Sequence, residues 1–127
     1  MDILVVDDVE SDGKLLAKIL TNLGYSCSIA QSGEQALDII KKNQVEMVLM
    51  NLSMPILDGF QTTHIIRQEL YNPIPIVGYS SDVTLDQKDA CMRVGMNTFI
   101  AKPIQLNSIK ELLVSLGLRV HLENESE

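Results

Sequence analysis

Met47-Val-Leu-Met-Asn51-Leu-Ser-Met-Pro-Ile-Leu-Asp58-Gly59 opens with an unbroken apolar run, reaches a short amide side chain, and then passes two turn pairs, Met54-Pro55 and Asp58-Gly59. A short continuous apolar run bounded by turn residues fits a strand buried on both faces of a parallel sheet. Asn51 then falls at the strand's carboxyl end, where open α/β sheets place their ligands.

The same signature recurs along the chain. Ile3-Leu4-Val5-Val6 reads as a first strand ending on Asp7-Asp8. From Lys14 the period becomes helical, with Leu15, Leu16, Ile19, Leu20 and Leu23 on one face and Gly24 as the stop. Cys27–Ala30 is a second strand, and Ser32 with Gln35 predicts a capping box ahead of a helix carrying Ala36, Leu37 and Ile40 and ending near Asn43. After Asp58-Gly59 a third helix is expected to about Leu70, with Phe60 and Ile66 inward and Tyr71-Asn72-Pro73 as the break. Ile74–Tyr79 predicts a fourth strand, with Pro75 tolerated near its start. A weakly periodic helix follows from about Thr84 to Val94, with Ala90, Cys91 and Val94 inward and Gly95 as its stop. Phe99–Ala101 is a fifth strand ending on Lys102-Pro103, and Ile109, Leu112, Leu113 and Leu116 mark a last helix closed by Gly117.

Five strands alternating with five helices predict a three-layer (βα)5 flavodoxin-like α/β sandwich, with a parallel five-stranded sheet ordered 2-1-3-4-5. It occupies residues 1–118, and 119–127 form an acidic tail expected to fray. At 127 residues the chain is one domain, 46% apolar and 21% charged, with no run long enough to span a membrane. No export signal is visible, so a cytoplasmic setting is expected. A net charge of -7 without a Lys/Arg cluster argues against nucleic-acid binding. Cys27 and Cys91 form no CxxC pair and read as small buried hydrophobes, and His64 and His121 as surface side chains without a second ligand at metal spacing.

Order 2-1-3-4-5 brings Asp7-Asp8, Asn51, Ser80 and Lys102 to one cleft. Singly, an acidic pair can cap a helix, a serine can start a turn and a lysine can be solvated. At neighbouring strand ends they make a site for a phosphoryl group. Adjacent carboxylates need a cation, magnesium typically takes one or two carboxylates plus waters and phosphate oxygens, and the hydroxyl and lysine face the anion. A phosphatase with its nucleophile after the first strand wants Asp-x-Asp, which is missing. An FMN carrier needs a Ser/Thr/Gly loop where Asp7-Asp8-Val9-Glu10 stands, and neither GxGxxG nor GxxxxGK[ST] occurs.

Val5-Val6-Asp7-Asp8, Met54-Pro55, Asp58-Gly59, Ser80, Gly95-Met96-Asn97 and Phe99-Ile100-Ala101-Lys102-Pro103 together resemble the receiver domains of two-component response regulators and hybrid histidine kinases, over about residues 2 to 118. The resemblance implies that Asp7 and Asp8 bind Mg2+, that Ser80 and Lys102 contact the phosphoryl group, that Phe99 is the switch aromatic, and that Lys102-Pro103 is cis. It implies a histidine kinase or histidine phosphotransfer protein as donor. It also implies a downstream partner, or self-association, through the fourth helix, fifth strand and fifth helix. The fourth helix, weakly anchored beside Ser80 and Phe99, fits a switching element. No output domain is read, so a single-domain regulator and a receiver from a longer protein such as a hybrid kinase both fit.

The departure is Asn51 at the phosphoacceptor position. An amide is a far weaker nucleophile than a carboxylate, and its loss of one negative charge weakens magnesium binding. Two histories fit: an ordinary receiver silenced by one Asp→Asn change, favoured by the otherwise retained pocket, or a natural pseudo-receiver acting only by binding. Asn51 can also donate from its NH2 to Asp7 or Asp8 while its oxygen accepts from Lys102.

Overall fold

The computed structural model describes residues 2–81 and 84–117. The predicted tail, 119–127, lies outside them, as do His121 and Asp82. The elements run β1 (Asp2–Val6), α1 (Glu10–Asn22), β2 (Ser26–Ala30), α2 (Gly33–Lys42), β3 (Met47–Asn51), α3 (Gly59–Gln68), β4 (Ile76–Ser80), α4 (Leu85–Val94), β5 (Thr98–Ala101) and α5 (Leu106–Ser115). All strands are parallel and the order is β2-β1-β3-β4-β5, as expected.

Side-chain alternation divides the core into two layers. Ile3, Val5, Met47, Leu49, Val77 and Tyr79 face one side, packing with Leu16, Leu20 and Leu23 of the α1 segment and with Ile109, Leu112 and Leu113 of α5. Leu4, Val6, Val48, Met50 and Ile76 face the other, against α2, α3 and α4. Every residue of β3 and β4 is buried, so these strands carry no alternating polar face. That arrangement turns the carboxyl ends of β1, β3, β4 and β5 to one edge of the sheet.

Several boundaries depart from the sequence reading. α1 begins at Glu10, a full turn before Lys14. Its first turn, Glu10-Ser11-Asp12, is polar and so carries no apolar period, yet its acids suit the positive end of a helix. Leu15 is not inward: it is 59% exposed, while Leu16, Leu20 and Leu23 of that apolar set are buried and Ile19 is half-buried. Ser32 caps α2 through the Gln35 N–H, but Gln35 Oε1 accepts from Gln31 N rather than from Ser32, so only half of the expected box forms. The complete box lies at α3, where Asp58 and Gln61 bond reciprocally. β4 starts at Ile76, not Ile74, because the Ile74 N–H is taken by Asn72 Oδ1 and Pro75 has no N–H to give. α3 ends at Gln68 rather than Leu70: the Glu69 and Leu70 N–H groups both reach back to Ile65 O, and the chain turns at Tyr71 (φ 50°). In α4 only Cys91 is buried; Ala90 and Val94 are half-exposed.

Candidate functional site

The pocket is assembled by backbone register. Val6 pairs with Met50, and Asn51 pairs with Tyr79, the residue before Ser80. Ser80 pairs with Ala101, and its carbonyl accepts from Lys102 N at 2.9 Å. Asp7, Asn51, Ser80 and Lys102 are therefore neighbours, three of them buried and Lys102 half-buried, with Asp8 exposed at the rim. Gly59 makes the close packing beneath them possible. A Cβ there would stand 2.4 Å from the Asn51 carbonyl oxygen and 2.9 Å from Leu52 Cα, so the α3 N-terminus could not reach β3 with any other residue.

The Asn51 amide nitrogen donates to Asp7 Oδ1 (3.1 Å), Asp8 Oδ1 (3.2 Å) and the Ser53 carbonyl (3.1 Å). Three acceptors around one NH2 fix the amide's orientation, since turning its oxygen inward would set it against two carboxylates. Sequence reasoning anticipated donation to Asp7 or Asp8; both bonds form. It also anticipated that Asn51 would accept from Lys102, and this does not occur. Among the described residues, the Lys102 ammonium instead reaches Asp7 Oδ2 (3.4 Å) and Asp12 Oδ2 (3.2 Å). The reason is charge. A neutral amide oxygen competes poorly with two carboxylates, one of them on the unanticipated first turn of α1.

Tyr79 was also missed. Its hydroxyl donates to Asp7 Oδ2 at 2.8 Å and lies 3.3 Å from the Val6 carbonyl, and its ring lies 4.9 Å beneath the Lys102 ammonium. Burial first, and the negative charge of Asp7 second, push the phenol well above its ordinary value, so it stays a donor. The available signal was a tyrosine in a strand read as wholly buried, where the hydroxyl must find a partner. Asp12 was legible only once α1 was known to start early enough to place it one turn beyond Asp8.

Phe99 is not in this pocket. On β5 it pairs with Gly78 of β4, half-buried toward the α4 layer, with Lys88 of α4 5.5 Å above its ring. The Lys102-Pro103 bond is cis, as the resemblance implied.

The donor set does not fit a divalent cation as it stands. Asp7 Oδ1, Asp8 Oδ1 and Ser53 O converge, but they converge on the Asn51 nitrogen, and Asp7 accepts in addition from Val9 N, Tyr79 and Lys102. A hard cation needs oxygens with uncommitted lone pairs. No group of three or more acidic, His or Cys side chains among the described residues is placed to hold a metal.

Compared with known proteins, residues 3–114 match the response regulator receiver domain family. The sensor histidine kinase RcsC of Escherichia coli (strain K12) is 37% identical over 126 residues, 99% of this chain. Hybrid signal transduction histidine kinase E of Dictyostelium discoideum is 39% identical over 119 residues, 90% of the chain. The chain spans only 13% and 7% of their respective lengths. Among solved structures, the receiver domain of Ssk1 from Saccharomyces cerevisiae, crystallised with the histidine phosphotransfer protein Ypd1, superposes with a TM-score of 0.85 at 22% identity, covering 92% of this chain and 88% of that one. At that identity the likeness shows the fold.

Proposed function

This chain belongs to the response regulator receiver domain family, and from that we propose that it is a two-component phosphorelay receiver that docks its partners without accepting phosphate at position 51. The observation that carries the reading is the Asn51 nitrogen bonded to Asp7, Asp8 and Ser53 O, where a receiver would present an anionic nucleophile. An amide turned this way has its nitrogen engaged and offers no charged oxygen to attack phosphorus. Ser80 and Lys102, the phosphate contacts by resemblance, keep their places at the strand ends. Magnesium affinity is weakened, because Asn51 removes a negative charge and gives the acid pair an internal donor. Phe99 remains the switch aromatic on a face made by α4, β5 and α5.

The partner is a histidine kinase or a histidine phosphotransfer protein, with a downstream protein or a second copy engaging the α4-β5-α5 face. Similarity to RcsC and to hybrid kinase E supports a place within, or opposite, a hybrid kinase. A receiver silenced by one Asp→Asn change is the first reading, on the otherwise retained pocket; a natural pseudo-receiver acting only by binding is the alternative. No helix among the described residues is long and apolar enough to cross a membrane.

The test is a binding titration of a histidine phosphotransfer protein against this chain and its Asn51→Asp variant, with and without a small-molecule phosphodonor. Affinity of the Asn51 chain is expected to be the same in both conditions, and that of the variant to change. A phosphodonor-dependent change in the Asn51 chain would overturn the reading.

A further inference from the structure

Asp7 is fully buried, and every acceptor place on its carboxylate is in use. Oδ1 takes the Val9 N–H at 2.9 Å and the Asn51 amide at 3.1 Å; Oδ2 takes the Tyr79 hydroxyl at 2.8 Å and the Lys102 ammonium at 3.4 Å. The tyrosine bond is the shortest of the four. A carboxylate offers about four lone-pair sites, so an incoming ligand must displace one of these donors. Asn51 accounts for only one of them.

We propose that Tyr79 is a positioning residue that holds Asp7 turned toward the chain's own donors, so that the acid pair resists a divalent cation independently of Asn51. The ring is 1% exposed and fixed within β4, so its hydroxyl cannot swing aside as a surface side chain would. The ring also steers Lys102. With the ammonium 4.9 Å above its centroid and 3.2 Å from Asp12 Oδ2, the lysine's charge is drawn to the α1 side of the cleft, against Asp7. Tyrosine thus acts on Asp7 twice, through a direct hydrogen bond and by seating the lysine that supplies the fourth donor. The inference rests on the site described above and not on whether position 51 takes phosphate.

Magnesium chloride titration by calorimetry, on the chain as it is, Tyr79→Phe, Asn51→Asp and Asn51→Asp/Tyr79→Phe, separates the two contributions. Phenylalanine keeps the ring under Lys102 and removes only the hydroxyl. A hydrogen bond to a charged group is worth roughly a factor of ten or more in an equilibrium constant, part of which water regains. Magnesium affinity is therefore expected to rise about fivefold with Tyr79→Phe, in both the Asn51 and the Asp backgrounds. Loosening of the fold alone would lower affinity, so the direction discriminates. If the Asn51 proteins give too little heat to fit, the Asn51→Asp pair decides: the double variant must bind more tightly than the single one. Tyr79→Leu, lacking the hydroxyl as well, serves where the phenylalanine variant folds poorly and must shift affinity the same way. Unchanged or weaker binding on loss of the hydroxyl would overturn the proposal. Phosphorylation of the Asn51 chain would overturn the proposed function and leave this inference standing.

Discussion

Replacing Arg67 with alanine tests how α4 is held. The guanidinium joins three segments: Nε donates to the Gly95 carbonyl (2.9 Å), Nη1 to the Asn72 carbonyl (2.7 Å) and Nη2 to Asn97 Oδ1 (3.1 Å). It thus ties the end of α3 to the loop before β4 and to the turn between α4 and β5. Asn97 Oδ1 also accepts from Ile76 N, and Asn97 N donates to the Ile76 carbonyl, so the start of β4 shares the same anchor. Gly95, at φ 105°, has no side chain, and the Arg67 stem packs against it. Buried hydrogen bonds from a charged donor are worth about 1.5–3 kcal/mol each. Half-burial lets water replace part of that, leaving about 1 kcal/mol per bond and about 3 kcal/mol for the three. In a domain of this size that corresponds to a fall in melting temperature of roughly 10 °C. Urea unfolding should show a lower midpoint at unchanged slope. Amide exchange should quicken first at the α4–β5 turn and the start of β4. Arg67→Lys, with a single donor head in place of the planar fork, is expected to keep only about a third of the energy. A loss below about 0.5 kcal/mol for Arg67→Ala, or a loss unaccompanied by faster exchange at that turn, would refute the clamp.

Phe99→Ala is expected to change partner binding or self-association while the domain stays folded; a loss of stability of about 3–5 kcal/mol with binding unaltered would mark Phe99 as core only. Burial pushes the Cys27 thiol up to about 11, so at pH 8 it is almost wholly protonated. Alkylation of Cys27 should run about two orders of magnitude slower than that of a free thiol, and rise as pH climbs through 11.

The fold was legible because buried parallel strands announce themselves. Met47–Met50 and Ile3–Val6 are apolar on both faces, and Gly24, Gly95 and Gly117, all at positive φ, mark the helix ends. Where polar residues open an element, as Glu10–Asp12 do, no apolar period marks the start, and the helical pattern becomes visible only a turn later, from Lys14. The site was legible in the four strand ends that the topology gathers. What escaped was how those groups choose partners. Lys102 prefers Asp7 and Asp12 to the Asn51 oxygen, and a core tyrosine reaches into an acid pocket; both are choices made across the sheet. Neighbours that lie 72 to 95 residues apart in the chain leave no local trace.

In the proposed function Asn51, its amide bonded to Asp7, Asp8 and the Ser53 carbonyl, stands in place of a phosphate-accepting carboxylate. Intact-mass spectrometry after incubation with magnesium and a small-molecule phosphodonor tests it most directly. The chain should show no gain of one phosphoryl group, and the Asn51→Asp variant should gain one. A labile phosphoryl adduct on the Asn51 chain, whether at position 51 or at another acceptor such as Asp8, would contradict it.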